Sequence, residues 1–191
     1  MLKPPFPLDE DERIRVLREL LILDTDPEER FDAVTYYARS RFKTEMALVS
    51  LVDTDRQWFK SACGLDASET PREISFCGHA ILHDEVMVVR NALEDPRFAD
   101  NPLVIGPPHI RFYAGAPLKL SSGHNIGTLC LIDSKPRRLE TEEIEHLAVL
   151  AHMVSMELQN LGSFENCRDH CVYGKLAATC PYVHTRHPLP D

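Results

Sequence analysis

A chain of 191 residues, 43% hydrophobic and 27% charged, has the length and composition to bury one sizeable core, which excludes disorder as its resting state. Its 30 acidic residues outnumber 21 basic ones for a net charge of −9 with histidine neutral, and no local basic cluster reverses the balance, so nucleic acid is not an expected partner. The opening MLKPPFPLDEDER is broken by Pro4, Pro5 and Pro7 and then turns acidic, and nowhere do about 18 apolar residues run together; the chain is expected in the cytoplasm without a membrane partner, its six cysteines as thiols or metal ligands.

Residues 1–8 read as an N-terminal extension. Asp9 is placed to cap a first helix, with Glu12 three residues on to reach back, and Ile14, Leu17 and Leu21 recur at helical spacing. Asp24-Thr25-Asp26-Pro27-Glu28-Glu29 ends that helix and starts another, with Asp26 as cap, Pro27 at the first helical position, and Phe31, Val34, Ala38 and Phe42 facing the core. From Met46, the run ALVSLVD has the short apolar pattern of a central strand covered on both faces. Asp53-Thr54-Asp55-Arg56 supplies turn chemistry, and QWFKSACG returns as the neighbouring strand, its Trp58 a core or interface filler. Further strands are expected at Val86 to Asn91, Ile110 to Leu120 and Asn125 to Ile132, the last two joined by the turn Ser121-Ser122-Gly123-His124; Asp133 then reads as a loop signal. Helices, then strands, then a helix argue for an α+β fold with an antiparallel sheet.

Thr141 caps the last helix, followed by Glu142 and Glu143 in its first turn. Ile144, Leu147, Ala151, Val154, Leu158 and Leu161 recur at alternating spacings of three and four, which suits either a heptad seam or a stripe packed on the chain's own sheet. Leu150 and Met153 widen that stripe, so one helix is expected to serve both the sheet and a second copy of the chain. A homodimer through Ile144, Leu147, Ala151, Val154 and Leu158 follows. The segment 162–191 loses the apolar period and holds three of the six cysteines and three of the nine histidines. Within it, Cys167, His170 and Cys171 followed by Cys180, His184 and His187 offer a candidate zinc set, drawn from Cys167, Cys171, Cys180 and His184; the spacing matches no standard finger, and the expectation is a disordered tail without metal.

Four runs, SFCGHAI, DPRFADNP, IRFYAGAPL and IGTLCLID, follow one another in that order. On these the chain resembles the GAF domain family of bacterial signalling proteins, over residues 9–161. The resemblance implies a GAF-like antiparallel sheet with N- and C-terminal helices packed on one face and a ligand-pocket lid on the other. It implies a sensory module that binds an unidentified small molecule and signals through its terminal helices to a separate kinase or cyclase, and not an enzyme. No phosphate-cradling glycine loop or cyclase signature is present on the chain, and the resemblance names no cofactor.

Seven residues are candidates for contact with the ligand. Ser75 caps a helical turn, and Phe76, Cys77 and His79 follow at its start, where free N–H groups would meet an anionic or carbonyl group and lower the Cys77 thiol. Alternatively, Cys77 is a small buried hydrophobe and His79 a hydrogen-bonded brace. Arg97 and Asn101 lie in the segment that the resemblance makes the lid, where Arg97 either grips a carboxylate or phosphate or pairs with Asp95 or Asp100. Arg111 and Tyr113 share one face of a strand and Phe112 takes the other; either the pair is polar above an apolar floor, or both face solvent.

Three chemistries known for GAF-like proteins are disfavoured residue by residue. A free methionine sulfoxide reductase would pair Cys77 with a cysteine that GPPHIRFYAGAPL lacks, a bilin photosensor would want an adjacent Cys-His pair where Gly78 intervenes, and an Asn-Lys, Phe, Asp-Glu cyclic-nucleotide pattern cannot be placed. The rival readings kept are a small redox enzyme working through Cys77 and a ligand-free dimerisation scaffold.

Overall fold

The almost unbroken apolar run Met46–Val52 forms β1, buried along its whole length because it lies mid-sheet with protein on both faces. The computed structural model describes the backbone of residues 1–171 and the side chains of residues 1–160. β1 pairs antiparallel with β2 (Arg56–Cys63) on one side and β6 (Asn125–Asp133) on the other. β3 (Glu69–Pro71) extends the β2 edge, and β5 (Phe112–Lys119) and β4 (Met87–Val89) complete the other, giving the order β3-β2-β1-β6-β5-β4.

Alternation along the strands divides the interior in two. Ala47, Val49, Leu51, Phe112, Ala114, Leu129 and Leu131 face α1 (Glu10–Glu19), α2 (Glu29–Phe42) and α5 (Thr141–Cys171). Met46, Leu48, Tyr113, Cys130 and Ile132 face the other way, toward a single 3₁₀ turn at Arg72–Ile74, α3 (Phe76–Ala80) and α4 (Pro102–Ile105). The architecture is thus α+β, with the terminal helices on one face and short segments on the other, as the resemblance implies. Trp58 is a core residue on the helix face.

The first helix starts after Asp9 as expected but without its capping bond, and the second starts later than expected; side-chain competition explains both departures. Asp9 makes no capping bond; its carboxylate reaches His124 Nε2 at 3.2 Å, and Glu12 is held by Arg15 one turn ahead rather than bending back. The second helix begins at Glu29, not at Pro27. The fully buried Lys60 Nζ binds Thr25 Oγ1, the Asp26 carbonyl and a Glu28 carboxylate oxygen, each at 2.7 Å, and this draws residues 25–28 along β2 in place of a helical turn. Leu21 leaves the first helix with φ 51° and stands exposed, while Ile22 fills the core.

The stripe on α5 is spent inside the domain. Leu147, Ala151, Val154 and Leu158 are each at most 1% exposed and pack on the sheet, with Ile144 half-buried. Over so few turns a heptad seam and an amphipathic face select the same residues, so the spacing alone could not tell them apart. Among the described residues, the large apolar side chains that α5 leaves exposed are Val149, Met153 and Met156, on its other side. The helix also continues through residues 162–171, beyond the point where the apolar period stops.

Candidate ligand pocket

The face opposite the long helices holds a cavity of about 190 Å³. Its floor is Met46 and Leu48 from β1, Gln57 and Phe59 from β2, Tyr113 from β5 and Ile132 from β6; Phe76 and Cys77 of α3 form one wall, Leu65, Ala67 and Thr70 another, and Leu103, Pro107, Pro108 and Ile110 the rim. Thiol apart, no lining side chain is acidic or basic. The aromatic wall is rigid: Phe76 stacks on Phe98 with centroids 4.0 Å apart and meets Tyr113 at 5.2 Å.

A chain of hydrogen bonds orients the few polar groups. Gly78 N donates to Ser75 Oγ at 2.7 Å, so Ser75 is the cap of α3; its hydroxyl in turn donates to Gln57 Oε1 at 2.7 Å. Gln57 Nε2 donates to Thr70 Oγ1, also at 2.7 Å, leaving the Thr70 O–H to point a donor elsewhere. The only polar side chains in the lining besides the thiol and Tyr113 are therefore Gln57 and Thr70.

Behind the α3 wall lies Cys130, whose Sγ is 4.0 Å from that of Cys77. Burial works to raise the Cys77 thiol, but hydrogen bonds from Cys130, Thr128 and Tyr113 outweigh it and hold it below the ordinary cysteine value. The hydrogen bond to Cys77, together with burial, drives Cys130 well above that value, so Cys77 is the more readily ionised of the two thiols. Tyr113 is raised by burial and by the nearby Cys77 charge; its hydroxyl stays protonated and donates to Cys77 Sγ at 3.4 Å. Gly115 permits this pose: a Cβ there would lie 2.1 Å from the Tyr113 hydroxyl.

Of the seven candidates, Phe76, Cys77 and Tyr113 line the cavity, and the other four sit around it. His79 Nε2 meets the Leu2 carbonyl at 3.1 Å. Arg97 pairs with Asp95 at 2.7 Å, and Asn101 caps α4 by accepting from Leu103 N at 2.9 Å while donating to the Ile74 carbonyl. Arg111 stands before β5 rather than in it and donates to the carbonyls of Val104 and Ile110, tying the rim to the sheet. Asp133 accepts from Lys135 N and Arg137 Nε, a turn role.

Sequence reading missed Gln57, Thr70 and the Pro107-Pro108 rim, whose only signal was that they flank recognisable runs. It also missed the seating of residues 1–8. Leu2 N donates to the Arg97 carbonyl at 2.9 Å, buried Pro4 packs where a Gly78 Cβ would stand, and Phe6 lies over the Arg72 guanidinium at 4.4 Å. Among the described residues no cluster of histidine, cysteine and carboxylate suits a metal ion; Cys180, His184 and His187 lie outside them, and Cys167, His170 and Cys171 lie where side chains are not described. No described helix is long and apolar enough to cross a membrane.

The fold is an antiparallel sheet with the terminal helices on one face and a cavity on the other, and the GAF domain family matches residues 26–158. The chain belongs to the GAF domain family. It is 44% identical over 164 residues to a cyclic di-GMP phosphodiesterase of Pseudomonas aeruginosa, covering 85% of this chain but only 28% of that relative. Among solved structures it is similar to the blue-light-absorbing form of the PixJ GAF domain of Thermosynechococcus elongatus, at TM-score 0.62 and 14% identity over 83% of this chain and 95% of that one. A domain of a putative two-component sensor histidine kinase of Sinorhizobium meliloti gives 0.58 and 19% identity, over 74% and 97%. These likenesses, below a quarter identity, establish the fold.

Proposed function

We propose that this GAF domain is a non-enzymatic sensory module whose ligand is a small, mostly apolar, uncharged molecule carrying a carbonyl or similar acceptor. The observation that carries the reading is the cavity whose lining offers apolar surface, one free hydroxyl donor at Thr70, and no arginine or lysine. Arg97 and Arg111 are spent on Asp95 and on backbone carbonyls, which disfavours the anionic ligand those residues suggested. The relative named for cyclic di-GMP turnover, of which this chain spans 28%, supports a regulatory role toward a nucleotide-processing or kinase partner rather than catalysis within the module.

Native mass spectrometry of freshly purified full chain tests the pocket: a retained small molecule, released on unfolding, is the expected result, and bare protein favours the ligand-free scaffold. Thr70→Val should weaken retention by about 0.5–1.5 kcal/mol, the net worth of one hydrogen bond. A Cys77→Ser protein that loses thiol-dependent reduction of free methionine sulfoxide would instead establish the redox enzyme. We further propose a cytoplasmic homodimer formed by the exposed stripe Val149, Met153 and Met156. Met153→Glu should give a folded monomer by light scattering where the natural chain is dimeric.

A further inference from the structure

We propose that Cys77 and Cys130 form a peroxide-responsive dithiol, which a small organic hydroperoxide entering the cavity converts to a disulfide. The placement carries this. Cys77 is 2% exposed yet lines the cavity, Cys130 is fully buried directly behind it, and their sulfurs are 4.0 Å apart with no side chain between them. Entry from the cavity therefore reaches Cys77 first. The two cysteines belong to separate elements: Cys77 sits on the short α3, and Cys130 is locked mid-sheet opposite Leu48 and Gly115. Closing to a disulfide of about 2 Å moves the helical sulfur inward by roughly 2 Å while the strand stays put.

The surroundings favour attack by Cys77 over Cys130. Cys77 lines the cavity and its sulfur accepts from the Tyr113 hydroxyl at 3.4 Å, which favours the thiolate, the nucleophile. In the first step the Cys77 thiolate attacks the outer oxygen of the hydroperoxide. The O–O bond breaks, the alkoxide leaves and takes up the proton released by the thiol to become an alcohol, and Cys77 carries a sulfenic acid. In the second, Cys130 Sγ attacks the Cys77 sulfur, the S–O bond breaks, and hydroxide leaves with the Cys130 proton as water. Two thiols lose two electrons and one peroxide is reduced to alcohol and water. A dithiol reductant restores the pair.

The consequence extends to residues 1–8. The α3 turn carries Gly78, against which Pro4 packs, and His79, which holds the Leu2 carbonyl, so drawing Cys77 toward the sheet alters the seat of the N-terminal segment. This mechanism needs no resident ligand, and its failure would leave the sensory reading of the cavity intact.

The test is peptide mapping of the full chain after tert-butyl hydroperoxide, with free thiols alkylated under unfolding conditions. Loss of both Cys77 and Cys130 from the alkylatable pool, recovery of a peptide joining them, and reversal by dithiothreitol are expected, with Cys63 still free. In Cys130→Ser the sulfenic acid on Cys77 should be trapped by dimedone; Cys77→Ser should leave Cys130 unoxidised. Both thiols recovered free in the natural chain, or Cys77 joined to any other cysteine, overturns the proposal. Because the natural chain alone decides, a variant that misfolds does not protect it.

Discussion

Along β1, Ala47, Val49 and Leu51 point to the long helices, whereas Met46 and Leu48 point to the cavity, so the same strand contributes to two unlike interiors. On the first side α2 and α5 lay continuous apolar faces of several turns on the sheet and fill it with close-packed Leu, Phe and Val. On the second, the cover is α3 of five residues, α4 of four and the loops between them. Segments so short cannot tile a twisted sheet, and a void remains, walled by aromatic rings and sulfur. The contrast teaches that one face supplies stability while the other leaves open space beside aromatic rings and a thiol.

The largest effects should fall on the helix face. Leu158→Ala should cost about 2–5 kcal/mol in urea unfolding, because a fully buried side chain leaves a cavity its neighbours only partly fill. Leu103→Ala, on a half-exposed rim beside existing empty space, should cost about 1 kcal/mol or less. Comparable costs at the two sites would erase the distinction between the faces. Lys60→Met should lose about 1–3 kcal/mol and release residues 25–28, since it strips the Asp26 carbonyl and Thr25 of their shared donor; faster hydrogen exchange confined to that segment is the check.

Gly115→Ala probes the cavity face. Its Cβ must push Tyr113 off Cys77, at about 1–2 kcal/mol in unfolding experiments, and the signature is faster alkylation of Cys77 in the folded protein. An unchanged alkylation rate would mean that Tyr113 does not guard the thiol. The smallest effect is the pH dependence of the N-terminal segment. Burial, and to a lesser extent Arg97, lower the His79 pKa from its ordinary value of 6.5, so the unfolded chain binds a proton more readily than the folded one. Its contribution to stability is present above pH 6.5 and is lost as the pH falls from there through the lowered value. Thermal melts of the natural chain should lose stability over that range relative to His79→Gln.

Local patterns were legible wherever one side chain sees one environment. The strand at ALVSLVD, the turn Ser121 to His124 with Gly123 at φ 90°, the cap at Ser75 and the core role of Trp58 each follow from residue type and neighbours along the chain. Of the candidate site, Phe76, Cys77 and Tyr113 were legible because they sit in recognisable runs on elements that face the cavity. Arg97, Arg111 and His79 looked like ligand groups for their chemistry, but partners close in space had already claimed them. The cap at Asp26 failed for the same reason, as Lys60 reaches it from a strand more than thirty residues away.

By itself, the order of apolar runs, turns and helical stripes determined that this chain builds an antiparallel sheet with terminal helices, because periodicity and turn chemistry act between near neighbours. Tertiary structure alone decided that the α5 stripe closes on its own sheet, that the cavity is apolar rather than cationic, and that Cys77 meets Cys130 across 53 positions of sequence. The physical reason is that burial and hydrogen-bond competition are settled by which surfaces come together, and a buried donor goes to the nearest acceptor in space whatever its distance along the chain.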